Sequence, residues 1–389
     1  MLGAEFEPKS TTKSYDTAFS AWLHASSVLA KGPLVTQKNF IEKWSVLAAL
    51  RFLLASIVAV NHLPDFVPLG VWAVIPMFGA FESILGFLLI SGYSIGASYL
   101  KEPDGFLWRR VKRIYPVYLA ALALACVVYV MEQNIFPAAW ELMANVLFLN
   151  QIVTSTSLVG PAWSLSLEFW LYCLTPLLFL LSDKALQRMV VVSFVAYCIY
   201  TCGRTLFHWN YYSGTAFGLN LLLLSFVWLA GLRLARNPLQ SKKILTMVGV
   251  LFGAHIALNA AIQAAFRLKN GALPTFFQSD LPAFVMQTCT LVLVIWLFAR
   301  VLRAEGKGRA SSWMRMLGDI SYPLYLIHIP VYFLLKQAGL ASPVLYYVAA
   351  VTASALMYRV LDLYSQRRHA TKGASGVSVV VPQSSEGKA

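Results

Sequence analysis

Ten apolar stretches of roughly 20 residues each divide the chain, at 44–63, 77–99, 114–131, 163–181, 189–207, 215–235, 244–265, 281–301, 317–336 and 343–363. Each is apolar on every face and long enough to cross ~30 Å of hydrocarbon. Backbone polar groups in lipid must be paired within the segment, so these stretches predict helices. A barrel would need alternating segments of about ten residues, and the pattern has no such alternation. The predicted fold is an all-α polytopic membrane protein of about ten transmembrane helices.

The joints between stretches add detail. Prolines at 64, 68 and 76 predict an irregular cap between the first two helices. Segment 132–162 contains no Lys or Arg. Its middle, Ala138–Asn150, has helical spacing with Trp140 and Phe148, which predicts a helix lying on the outer interface. Before the first span, 1–43 reads as a cytoplasmic tail with a short amphipathic helix near Tyr15–Leu29. It lacks the apolar core and small-residue cleavage site of a signal peptide, so the first span is expected to be retained. The membrane domain occupies 44–364, and 365–389, rich in Ser, Gly and Val, predicts a disordered cytoplasmic tail.

Composition agrees with this pattern. Charged residues make up 12% of the chain and hydrophobic ones 58%, against about 25% charged in soluble domains. The net charge of +14 could suggest nucleic acid, but its placement argues against that partner. With a cytoplasmic N-terminus, 26 of the 31 Lys and Arg fall on inward segments. This positive-inside pattern predicts ten spans with both termini in the cytoplasm of a cell membrane. The cysteines at 126, 173, 198, 202 and 289 all lie in apolar stretches and read as small apolar residues. No metal-ligand cluster is visible in the sequence.

Ionisable residues inside a bilayer are costly and therefore functional candidates. Arg51, His62, Glu82, Glu168 and His328 stand out, whereas Asp319 and Asp362 read as interfacial. Eleven residues separate Arg51 from His62, which on a helix is three turns plus about 20°. One face thus carries a cation toward the inner side and a titratable base about 16 Å away near the outer end. Counted from the outer side, Glu82 and Glu168 come to a depth similar to that of His62. Either carboxylate could orient its imidazole. Arg109, Arg110, Lys112 and Arg113 crowd one inner loop, where Arg110 and Arg113 share a face. Read from charge alone, the cluster is either a topogenic marker or a clamp for phosphates or anionic lipid.

Five ordered motifs resemble the acyltransferase 3 family, integral membrane O-acyltransferases of surface glycans, lipids and some antibiotics. Arg51 followed by His62 is similar to its R-x10-H signature. Gly86–Tyr93 (GFLLISGY) is similar to its FFxLSGF segment, and Arg109–Pro116 (RRVKRIYP) to its RRxxRIxP segment. Trp163–Tyr172 (WSLSLEFWLY) resembles WSLSxExxFY, and Ile320–Pro330 (ISYPLYLIHIP) resembles ISYxLYLxHxP. The family often has an acidic residue two positions before FFxLSGF. Leu85 stands there in this chain, with Glu82 one turn earlier. The soluble hydrolase-like domain that some members carry has no counterpart.

The resemblance implies an acyl-CoA-dependent O-acyltransferase. Acyl-CoA, by family habit acetyl-CoA, would be a co-substrate rather than a bound cofactor, and the acceptor a hydroxyl of a glycan or glycolipid. Arg51, Arg110 and Arg113 would hold CoA phosphates. His62 would act as base, with Glu82 or Glu168 orienting it or binding sugar hydroxyls, and His328 would contribute to substrate binding. Intramembrane His, Glu and Arg also fit a secondary transporter or flippase with a proton relay, although no internal duplication is present.

Overall fold

The structure, a computed structural model, describes residues 34–303 and 312–374. The amphipathic helix predicted near Tyr15–Leu29 lies outside them. The described residues are helical and contain no strand. The main helices are α1 (Leu34–Asn61), α2 (Ala80–Lys101), α3 (Phe106–Gln133), α4 (Ala139–Val146), α5 (Trp163–Leu180) and α6 (Asp183–Phe207). They continue with α7 (Ser225–Arg236), α8 (Ser241–Lys269), α9 (Leu281–Arg303), α10 (Ser312–Gln337) and α11 (Pro343–Ala374). The backbone of α11 runs on to Ala374, past the tail boundary predicted at 365.

Among the described residues, eight helices are long and apolar enough to cross a membrane. Two of the ten predicted spans do not meet that description, each for a physical reason. The stretch 215–235 is broken at Leu224, and its α7 part has 12 residues, about 18 Å of helix and too short to cross alone. It is nonetheless buried almost throughout. The stretch 317–336 forms α10, whose length suffices. Its Arg315, Asp319, Tyr322 and Tyr325 turn toward an internal cavity and lower its hydropathy.

Helices α1 and α2 form the centre. Helix α1 packs on α10, α2 and α9, and α2 packs on α7, α1, α5 and α9. The apolar window of α2 is 67% buried and that of α11 only 17%, which sets the core helix apart from the rim. On the rim, Val191, Val195 and Ile199 of α6 form an exposed apolar stripe at i, i+4, i+8, as expected of a face against acyl chains.

Small residues bring the central helices together. Gly92 and Gly96 lie on one face of α2, and Gly231 faces them from α7. A methyl group at Gly92 would collide with the Trp228 carbonyl, and one at Gly231 with the Leu89 carbonyl. Apolar burial drives little association between helices in lipid, so such close backbone approach is a main source of packing energy. Gly318 of α10 sits against Ala48 of α1 in the same way.

The segment between α3 and α5 does not merely cap the bundle. Helix α4 falls within the predicted helical stretch 138–150 and keeps Trp140 and Met143 exposed, but the chain then turns inward. Phe148, Asn150, Gln151 and Val159 are buried. The Ser166 hydroxyl of α5 lies 2.6 Å from the carbonyls of both Phe148 and Asn150 and shares its one proton between them. Helix α5 therefore starts against buried backbone instead of at an exposed surface.

Candidate active site

A cavity of about 570 Å³ opens between α1, α2, α3, α5 and α10. Arg51, Arg110, Arg113, Arg315 and Lys101 line it, against the carboxylates of Glu168 and Asp319. Five cations and two acids give the cavity a net positive lining, which suits an anion. The arginines come from three helices. Arg51 projects from α1 and donates to Ser94 Oγ of α2 at 3.1 Å. Arg110 and Arg113 share the first turns of α3, and the Arg110 guanidinium lies 5.7 Å from the Phe106 ring centroid. Its Nε is buried without a hydrogen-bond partner. Neighbouring Arg109 is committed elsewhere, bonding the Glu102 carboxylate at 3.1 Å and the backbone carbonyl of the same residue. Arg315 enters from α10, a contribution invisible while it is counted as a loop charge.

The structure places Glu168 in this cavity. Tyr172 donates to Glu168 Oε2 at 2.8 Å, and Ser91 donates to the Tyr172 hydroxyl at 3.1 Å. This differs from the expectation that Glu168 lies level with His62. The inward loop before α5 removes the assumption on which that count rested, namely that α5 begins at the outer surface.

His62 lies just beyond the last residue of α1, and its ring faces His328 of α10 at a centroid separation of 5.4 Å. Sequence spacing could not pair them, since 265 positions intervene, and only the packing of α1 on α10 does so. His328 is fully buried, and its Nδ1 is 3.0 Å from the Leu324 carbonyl. A carbonyl can only accept, so Nδ1 carries the proton, and in the neutral ring Nε2 is a free acceptor. Nε2 indeed has no hydrogen-bond partner. His62 Nδ1 is 3.6 Å from Asp65, the carboxylate within ion-pair distance of it among the described residues. Neither Glu82 nor Glu168 orients it.

Glu82 turns to a different helix. Its Oε1 accepts from His255 Nε2 of α8 at 3.1 Å, and His255 Nδ1 accepts from the Tyr197 hydroxyl at 2.7 Å. Gly79, at φ 81, leaves room for this carboxylate, because a methyl group there would overlap it. Equal depth along two helices says nothing about rotation, and the face of α2 that carries Glu82 looks away from His62. His255 is not among the intramembrane ionisable residues that stood out in the sequence. Its place midway along the apolar stretch 244–265 was the signal available.

The cavity and the histidine pair lie along one helix, α10. The cavity wall on this helix runs from Arg315 to Tyr325, about 15 Å. Tyr325 is three residues before His328 and donates to the Pro161 carbonyl at 2.9 Å. Ser164 bonds the same hydroxyl at 2.7 Å.

A family model described as an acyltransferase domain matches residues 44–359. A protein of Acidianus two-tailed virus named as an acetyltransferase, ORF330, is 30% identical over 155 residues, covering 38% of this chain and 43% of its own. Acyltransferase MdmB of Streptomyces mycarofaciens is 25% identical over 264 residues, covering 63% of this chain and 66% of its own. The chain thus spans less than two thirds of either relative. No solved structure matches.

Proposed function

The chain belongs to the acyltransferase 3 family, and from that premise we propose that it moves an acyl group from cytosolic acyl-CoA to a hydroxyl of a carbohydrate or glycolipid acceptor. The acyl group is acetyl in this reading, and the setting is exopolysaccharide or cell-surface glycan modification. In this reading the chain crosses the cell membrane ten times with both termini in the cytoplasm, the broken stretch 215–235 crossing as Leu219–Leu223 and α7 together. The charge distribution supports that topology. The relatives named as an acetyltransferase and an acyltransferase support the reaction class. A transporter reading has no such support.

One observation carries the mechanism. The basic cavity extends along α10 from Arg315 to Tyr325, one turn short of His328, whose ring faces His62. Phosphates held by Arg110, Arg113, Arg315 and Arg51 place the pantetheine arm along that wall, its thioester toward the histidines. His62 takes the proton of the acceptor hydroxyl as its oxygen attacks the thioester carbonyl. The tetrahedral intermediate collapses, the C–S bond breaks, and CoA leaves as a thiolate that takes the proton back from His62. His328 Nε2 accepts a hydrogen bond from the protonated His62 or from the acceptor. Glu168 and Tyr172 stiffen the cavity wall beside Arg51 rather than joining the proton transfer.

Purified protein given acetyl-CoA and candidate glycans should release free CoA thiol in an acceptor-dependent manner. Absence of release with every acceptor in membranes where glycan acylation depends on this chain would refute the donor assignment.

A further inference from the structure

A second cavity, of about 460 Å³, lies on the other side of the end of α1. It is walled by the starts of α2 and α9, the ends of α6 and α8, and the turn at Tyr211–Tyr212. Its size falls within the ~300–1,000 Å³ of small-molecule sites. Asn61, which precedes His62, forms part of the wall and donates to the Pro76 carbonyl at 2.9 Å. The cavity therefore abuts the turn that carries the proposed base.

Its chemistry differs from that of the basic cavity. The floor is the buried chain Tyr197–His255–Glu82. Asn259, Gln263, Gln287 and Thr201 add amide and hydroxyl groups, and Phe81 and Phe284 add apolar ring faces. Rings for C–H faces and amides for hydroxyls suit a sugar ring. The charges refine this. Glu82 already has a partner in His255, whereas Arg204 has no carboxylate within ion-pair distance among the described residues. Its guanidinium is held over two rings, 4.5 Å from the Tyr211 centroid and 5.1 Å from that of Tyr212. Stacking keeps the planar fork in one orientation, and its Nε is buried with no hydrogen-bond partner. A preset guanidinium with no carboxylate partner, in a hydroxyl-lined cavity, calls for an anionic group on the ligand.

We propose that this cavity binds an acidic sugar unit, a hydroxylated ring bearing a carboxylate or phosphate, with Arg204 taking the anion and Glu82 and the amides taking hydroxyls. The acyl-transfer reading enters only in naming this unit as part of the acceptor, and binding itself can be measured without acyl-CoA.

The test uses the full chain in detergent, with saturation-transfer NMR on glucuronate, glucose 1-phosphate and glucose. One charge-assisted hydrogen bond corresponds to about tenfold or more in affinity. At least one acidic sugar should therefore bind about tenfold more tightly than glucose. Whichever of the two does so identifies the anion as carboxylate or phosphate. Arg204→Gln should abolish that preference while leaving weak binding of the neutral ring. Equal affinities for all three probes, no binding of any, or a preference that survives Arg204→Gln would each overturn the proposal. The wild-type ranking alone is decisive if the variant does not fold. Because no acyl-CoA is present, failure of this test is distinguishable from failure of the donor assignment.

Discussion

At the scale of single residues, three of the buried polar atoms that lack a partner adjoin proposed ligand positions. His328 Nε2, Arg110 Nε and Arg204 Nε are all buried without partners, and each faces or adjoins a proposed ligand position. Such atoms are costly unless a ligand satisfies them. His62→Ala should lower transfer by about 10²–10⁴-fold, the range for a lost general base, while equilibrium binding of acyl-CoA stays unchanged. Thiol release and a filter-binding assay read the two separately. Arg113→Ala should raise the KM for acyl-CoA by about 10–100-fold, the value of a charge-assisted bond to phosphate, with a smaller effect on kcat. A loss confined to kcat would contradict the clamp. Glu168→Gln keeps an acceptor for Tyr172 and should retain most activity. If it behaves like His62→Ala, Glu168 belongs to the proton transfer after all.

At the scale of elements, the helices were legible because 20 apolar residues have few alternatives in a bilayer. So was the placing of Arg51 within the first helix and of His62 at its end. What depended on a second helix was not legible. Glu82 pairs with His255 across 173 positions, and no period along α2 indicates which way its carboxylate points. Glu168 was misplaced for another reason. A segment without Lys or Arg reads as lying on the outer surface, whereas in the folded chain part of its backbone is buried and bonded to Ser166. The α2–α7 contact is where packing tolerates least. Gly92→Leu drives a side chain into the Trp228 carbonyl and should cost about 1–3 kcal/mol or more, lowering the detergent-solubilised melting temperature. Gly253→Leu on α8, where an added Cβ meets nothing within 4 Å, is the matched control. Equal melting temperatures for the two variants would show that α2 and α7 do not pack this closely.

At the scale of the whole molecule, two cavities flank one central helix. The basic one takes its wall from α1, α3 and α10 near predicted cytoplasmic loops. The uncharged amides and Arg204 of the other gather at the end of α1 that carries His62. In the proposed mechanism the bilayer separates donor from acceptor, and the acyl group passes between them at His62 and His328. Acetyl-CoA does not cross membranes, so sidedness tests this directly. Sealed vesicles containing the protein and its endogenous acceptor are supplied with radiolabelled acetyl-CoA from outside, in inverted and in right-side-out orientation. Label is expected in the glycan fraction of inverted vesicles, whose cytosolic face is exposed, and none above background in right-side-out ones. Label in right-side-out vesicles alone would contradict the mechanism.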